Sequence, residues 1–333
     1  MDKEEVALDP VLMTNMSIGR ISRDFNSNIE GLAFSDDGSL LAAYTNDTLN
    51  IYEVLNAKKI KTLHNKATQI SHLTFTHHNQ AVLFSPKVAP FDIFYWSIYD
   101  NEIIKRYKVS DTSEIKGLFL NPINDKFLAY TINNTLKLFD MGSETDEPIM
   151  KMDMGSKINK LASNFDSTGT VLAIACNYNH SHENISVNRV ELNNIDKQYK
   201  GRFLGFYISN EAPIEELHFV KNSQKFACLL ENGKVIFSDS VSGKMLTTAY
   251  IPGVNGGPFP QISFSPDSKF MVAGGVDNMV RVFDIETGNE LSKFGGHIKP
   301  CLSVCFSPAY ALFVSGCQNL IWWVPKLWEN TEV

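Results

Sequence analysis

The chain has 333 residues, 44% hydrophobic and 20% charged, which marks a folded chain with ample length for a core and excludes disorder. A net charge of −7 argues against a non-specific nucleic-acid binder, while leaving room for a local basic patch. No apolar run approaches the ~18 residues of a spanning helix, and Met1-Asp2-Lys3-Glu4-Glu5 offers no basic segment before an apolar stretch, so neither a membrane protein nor a secretory signal is expected.

The chain opens with Ser17–Phe25, which has the pattern of an outer strand. Ile29-Glu30-Gly31-Leu32-Ala33-Phe34 then runs into the turn Ser35-Asp36-Asp37-Gly38. The same unit, a short apolar run followed by a turn cluster, closes again at Phe75, Leu120, Phe165, Phe219, Phe264 and Phe306. Intervals of roughly 40–45 residues holding several strands each are the signature of propeller blades. In the first unit Ile29–Phe34, Leu40–Thr45, Leu49–Val54 and Lys59–His64 read as four strands from the inside out. Runs such as Leu40-Leu41-Ala42-Ala43-Tyr44 lack polar alternation, as expected of strands buried on both faces. Small residues recur in the second strand, at Ala273-Gly274-Gly275 and Ser315-Gly316, where blades must pack closely. No stretch between turns has the length and period of a helix.

The last unit stops at a third strand, Leu320–Val324, followed by Pro325. It lacks an outer strand and the N-terminus has one spare. The expected fold is therefore all-β, a seven-bladed propeller over residues 16–325, closed by Ser17–Phe25 pairing into the last blade. Residues 1–15 and 326–333 are expected to be loosely held tails.

Five cysteines without dense spacing (Cys176, Cys228, Cys301, Cys305, Cys317) read as reduced thiols. No phosphate loop, Gly-x-Ser-x-Gly elbow or His-Glu-x-x-His occurs, and Glu215-Glu216 are adjacent in a strand and face opposite ways. Cys176, His180 and His182 offer three zinc-type ligands where about four are wanted, and an exposed polar loop is the better reading. Cys301, Cys305 and Cys317 read as small apolar fillers, His77-His78 as a turn pair, and Trp322-Trp323 as packing rather than a base-stacking platform. Trp328 is either a clamp or a partner anchor. Lys58-Lys59-Lys61, Lys105-Arg106 and Lys157/Lys160 read as solvated surface or as phosphate contacts. No enzyme activity, cofactor or metal is expected.

Phe139-Asp140 and Phe283-Asp284 stand where WD repeats carry Trp-Asp. Gly296-His297 is a Gly-His element, and Phe264-Ser265-Pro266-Asp267 and Phe306-Ser307-Pro308 are typical first turns of such blades. From about residue 17 to 325 the chain resembles WD-repeat propellers. Phe75-Thr76-His77, Asn121–Phe127, Lys200-Gly201-Arg202-Phe203, Phe306–Tyr310 and above all Ser315–Pro325 resemble the WD-repeat adaptor family shared by COMPASS histone methyltransferase complexes and type-1 phosphatase termination complexes. The resemblance implies a nuclear, non-catalytic scaffold. The implied partners are a SET-domain methyltransferase, a phosphatase-targeting subunit and the RNA polymerase II tail, with no membrane and no direct nucleic-acid contact. An adaptor of a ubiquitin ligase or RNA-processing complex is the alternative. Most blades depart from the family's Asp-His-Ser/Thr-Trp set, and Asn133-Asn134 stand where many blades carry Asp.

For partner binding, the turns between second and third strands are the expected surface: Asn46, Asp47, Asn133, Asn134, Asp277, Asn278, Gln318 and Asn319. They are polar and read as free of core duties. The rival is a patch of Phe91 and Phe94 on the side of the irregular second blade.

Overall fold

Leu41, Ala42 and Ala43 are consecutive and all fully buried, because their strand is sandwiched between two neighbouring blades. Leu41 and Ala43 join an apolar cluster with Val314 and Trp322 of the last blade, while Ala42 joins one with Val82 and Phe84 of the second. The same two-sided burial repeats around a ring in this computed structural model, which describes residues 7–65, 68–109, 113–178, 181–192, 204–209, 212–220, 222–254 and 257–326. Seven four-stranded antiparallel sheets form the blades. Blade 1 consists of Gly31–Phe34, Leu40–Tyr44, Thr48–Glu53 and Lys58–His64. The inner strands of blades 2 to 7 are Ile70–Phe75, Ile115–Leu120, Ile158–Phe165, Ile214–Val220, Ile262–Phe264 and Ser303–Phe306. Seven apolar clusters fill the seven junctions between blades.

Closure is as the offset ends require. Met16–Ser22 pairs antiparallel with Leu320–Pro325 as the outer strand of blade 7, with Ser17 opposite Val324 and Ser22 opposite Leu320. The small residues of the second strands are sterically required: a Cβ on Gly274 would lie 2.2 Å from the Cys301 carbonyl oxygen, and one on Gly316 would lie 3.0 Å from Ile29.

A belt of hydrogen bonds ties the outer strands together. Arg20 of blade 7 donates to the Asn56 carbonyl of blade 1 (3.1 Å), Lys61 of blade 1 to Tyr99 O of blade 2 (2.5 Å), and Lys105 of blade 2 to Ser143 O of blade 3 (2.6 Å). Thr247 of blade 5 donates likewise to Glu286 O of blade 6 (2.9 Å). At these four junctions the outer strand thus reaches the turn between the third and fourth strands of the next blade.

Three expectations are corrected. Residues 8–15 are not a loose tail. Asp9 caps the short helix Pro10–Thr14 by accepting from the Leu12 N–H (2.7 Å), and Leu8 and fully buried Met13 pack into the junction of blades 6 and 7. Apolar side chains there cover a seam end that would otherwise meet water. Cys176 is not in a loop. It is fully buried in the second strand of blade 4, Val171–Tyr178, whose hairpin continues into the long strand Ser181–Glu191. Phe91 and Phe94 do not form one patch, since they pack on opposite sides of blade 2, against blades 3 and 1 respectively. His180, Trp328 and the segment Lys200-Gly201-Arg202-Phe203 lie outside the described residues, as do the side chain of His182 and residues 327–333 of the expected C-terminal tail.

Candidate interaction rim and channel mouth

The inner strands line a central channel and start at one rim, here termed the entry rim. The turns between second and third strands lie on that same rim, because each inner strand begins beside such a turn of the preceding blade. The Ile70 N–H donates to Asn46 O (2.7 Å), and the Ile29 N–H to Cys317 O (2.6 Å). The rim turns therefore carry blade-to-blade bonds and are not free of core duties.

The eight rim residues sit on blades 1, 3, 6 and 7, and among the described residues no hydrogen bond or ion pair given by the structure joins one of these four turns to another of the four. Asn46 accepts from Lys87 of blade 2 (2.6 Å), and exposed Asp47 accepts from Thr45 and Thr48 within its own turn. Asn133 is exposed and donates to Ser113. Asn134 is buried, takes φ +58°, and donates to Ile158 O of blade 4 (2.8 Å). Asp277 is clamped by both terminal nitrogens of Arg281, whose guanidinium holds its carboxyl below the usual range, and Asn278 supplies the turn's positive φ of +67°. Gln318 and Asn319 are half-buried, and the Asn319 N–H lies 3.4 Å from Cys317 Sγ.

The entry-rim mouth of the channel is a cavity of about 560 Å³, lined among others by Glu30, His72, Glu114, Lys116, Glu215 and Glu216. None of these was singled out from sequence as a binding residue. The inner strands of blades 2, 3, 4 and 5 each carry a register shift just after their first isoleucine. Such a bulge re-aims side chains. In blade 5 it brings both Glu215 and Glu216 to the mouth. The legible signal is a polar residue directly after Ile at these four inner-strand starts, Ser71, Lys116, Asn159 and Glu215.

The mouth's charges are paired. Lys87 meets Glu30 (3.0 Å), Lys116 meets Glu114 (3.3 Å), and His218 meets Glu216 (2.8 Å). Lys160 bridges Glu215 (2.6 Å) and Glu231, and lies 5.5 Å from the Phe259 ring centre. Burial disfavours its charge, but the two carboxylates outweigh that and raise its pKa. It is no surface lysine. His72 is pushed down to about 4, chiefly by burial and then by Lys116, so it is neutral at pH 7. The opposite mouth, about 330 Å³, is ringed by Phe34, Phe119, Phe165, Phe219, Phe264 and Phe306. Among the described residues no group of three or more His, Cys, Asp or Glu is placed to hold a metal ion, and no helix is long and apolar enough to cross a membrane.

In blade 7, buried Trp323 donates from Nε1 to Ser315 Oγ (2.6 Å), and His297 Nε2 lies 2.7 Å from the same oxygen. A family model described as "WD domain, G-beta repeat" matches residues 259–284 and 288–322, which include His297 and Ser315. The chain is a WD-repeat β-propeller. Over 332 residues it is 27% identical to WD repeat-containing protein 82 of Drosophila melanogaster, covering 98% of this chain and 99% of that one. It is 24% identical over 329 residues to Protein ANTHESIS POMOTING FACTOR 1 of Arabidopsis thaliana (97% and 95% covered). It is 25% identical over 315 residues to COMPASS component SWD2 of Saccharomyces cerevisiae (89% and 90% covered). This WD-repeat propeller is distantly related to these proteins, and two of its channel-mouth pairs, Lys87–Glu30 and Lys160–Glu215, tie one blade to the next.

Proposed function

We propose that this propeller is a nuclear scaffold subunit of a COMPASS-type histone lysine methyltransferase complex, of a phosphatase-containing transcription termination complex, or of both. The observation that carries the reading is its relation to a COMPASS component along 89% of the chain, with 90% of that protein covered. A ring tied at every junction presents turns in fixed positions, which is what a scaffold needs. A SET-domain methyltransferase and a phosphatase-targeting subunit are the partners, with the RNA polymerase II tail as a further contact. Residues 16–325 act as one unit, flanked by 1–15 and 326–333. The entry rim is the contact surface, and its most accessible members are Asp47, Asn133 and Asp277.

Affinity purification of the tagged full chain from nuclei, read by mass spectrometry, tests the proposal. The expected result is a SET-domain methyltransferase or a phosphatase-targeting subunit. Capture should fall when Asp47→Lys and Asn133→Lys are combined in a protein that still melts cooperatively. Recovery of ubiquitin-ligase or RNA-processing subunits in their place would overturn it.

A further inference from the structure

The outer strand of blade 1, Lys58–His64, is the most basic free edge of the ring. It holds three lysines and no acid in a chain of net charge −7. The outer strand of blade 5, Met245–Tyr250, has no charge, and that of blade 6, Glu290–Gly295, has one of each sign. In blade 2 the two cations are both engaged, Lys105 with Ser143 O and Arg106 with Asp92. In blade 1, Lys59 has only a 3.6 Å pair with Asp24, and Lys58 has no ion pair among the described residues. Exposed Arg20 and Arg23 of the adjoining blade 7 segment extend the charge, Arg20 being held there by Asn56 O.

Apolar groups stand within this wall. The register shift opposite Ile51/Tyr52 leaves Ile60 as the unpaired residue of a bulge, and Ile60 is 52% exposed. Tyr99, whose carbonyl holds Lys61, is 75% exposed. Lysines and a bulge on an edge deter another strand from adding to it. The side chains, not the backbone edge, are therefore the groups on offer.

We propose that this wall, centred on Lys58, Lys59, Ile60 and Lys61 with Arg20 and Arg23, docks a partner segment that alternates acidic and large apolar residues. A protein segment is favoured over nucleic acid because exposed Ile60 and Tyr99 offer apolar contacts that a phosphate backbone does not use. The surface lies on the outside of the ring and does not depend on the entry rim.

Fluorescence anisotropy with the full chain tests this. The probes are a labelled peptide of repeated Asp-Phe-Glu-Leu units, the same peptide with Lys for each acid, and oligothymidylate of equal charge. The acidic peptide should bind, with an affinity that falls as salt rises. Arg23→Glu with Lys58→Glu, neither of which breaks an ion pair, should weaken it about tenfold or more, corresponding to roughly 1.4 kcal/mol. Lys225→Glu with Lys244→Glu on blade 5, and the Asp47→Lys/Asn133→Lys rim variant, should leave it unchanged. The proposal is overturned if the acidic peptide does not bind, if oligothymidylate binds as tightly, or if the blade 5 variant loses as much as the blade 1 variant.

Discussion

His77 of blade 2 reaches back to Asp36 of blade 1, with Nδ1 2.5 Å from Oδ2. Its Nε2 lies 3.0 and 3.2 Å from the carbonyl oxygens of Asn121 and Asn124 in blade 3. One imidazole thus joins three blades at the rim opposite the proposed contact surface. All its partners are acceptors, so only the doubly protonated ring satisfies both sides. Burial opposes that charge, but Asp36 and the two carbonyls outweigh it and raise the pKa.

The pH consequence follows from the sign. A raised folded-state value gives stability that is complete below the unfolded value of about 6.5 and is lost as pH rises through the folded value. Replacing His77 with Gln should lower Tm more at pH 5.5 than at pH 8.5. An equal drop at both would remove the charged ring from the argument.

His72 and His297 behave oppositely. Burial leads in both, and each is pushed down to about 4. The unfolded chain takes up these protons first, so stability falls as pH drops from about 6.5 toward 4. Proton NMR of the native protein should show both rings neutral at pH 5, with titration only near 4. Protonation of either ring at pH 6 would contradict the buried assignment.

Met13→Ala should destabilise the protein by about 2–5 kcal/mol, because a fully buried side chain leaves a cavity between blades 6 and 7. Urea denaturation checks it. A change within about 0.5 kcal/mol, the range typical of surface substitutions, would return this segment to the status of a tail.

Ser315→Ala removes the acceptor of the Trp323 N–H and the partner of His297 in one step. The loss should be about 1–3 kcal/mol, the cost of leaving buried polar groups unmatched. Tryptophan fluorescence during urea unfolding measures it, and a neutral result would mean the two groups find other partners.

The parts legible in the sequence were those set by local pattern. Phe34, Phe75 and Leu120 close inner strands at the positions where the repeat puts them, and the offset between Ser17–Phe25 and Leu320–Val324 revealed the closing strand. Trp322 and Trp323 pack toward blade 1 and blade 6 respectively, as alternation in a buried strand demands. What escaped was set by contacts between turns of different blades. Nothing near Asn134 shows that its side chain bonds Ile158 across a junction, and nothing near His77 announces Asp36, 41 residues earlier. The rim residues were therefore read as equivalent. In the folded ring, Asn133→Lys meets open solvent, whereas Asn134→Lys would lose a buried bond and force a lysine into a left-handed conformation.

The seam between Met16–Ser22 and Leu320–Pro325 also sets an order of events during synthesis. Ser17 and the Val324 carbonyl it bonds are 307 residues apart. Met16–Ser22 thus leaves the ribosome ahead of all seven inner strands, yet it cannot pair until Leu320–Pro325 has emerged. Until then the outer edge of the last blade stands unpaired and the helix bearing Met13 has no seam to cover. Any blade that folds before that point does so in an unclosed ring, so closure is a late event set by chain order rather than by local strand strength.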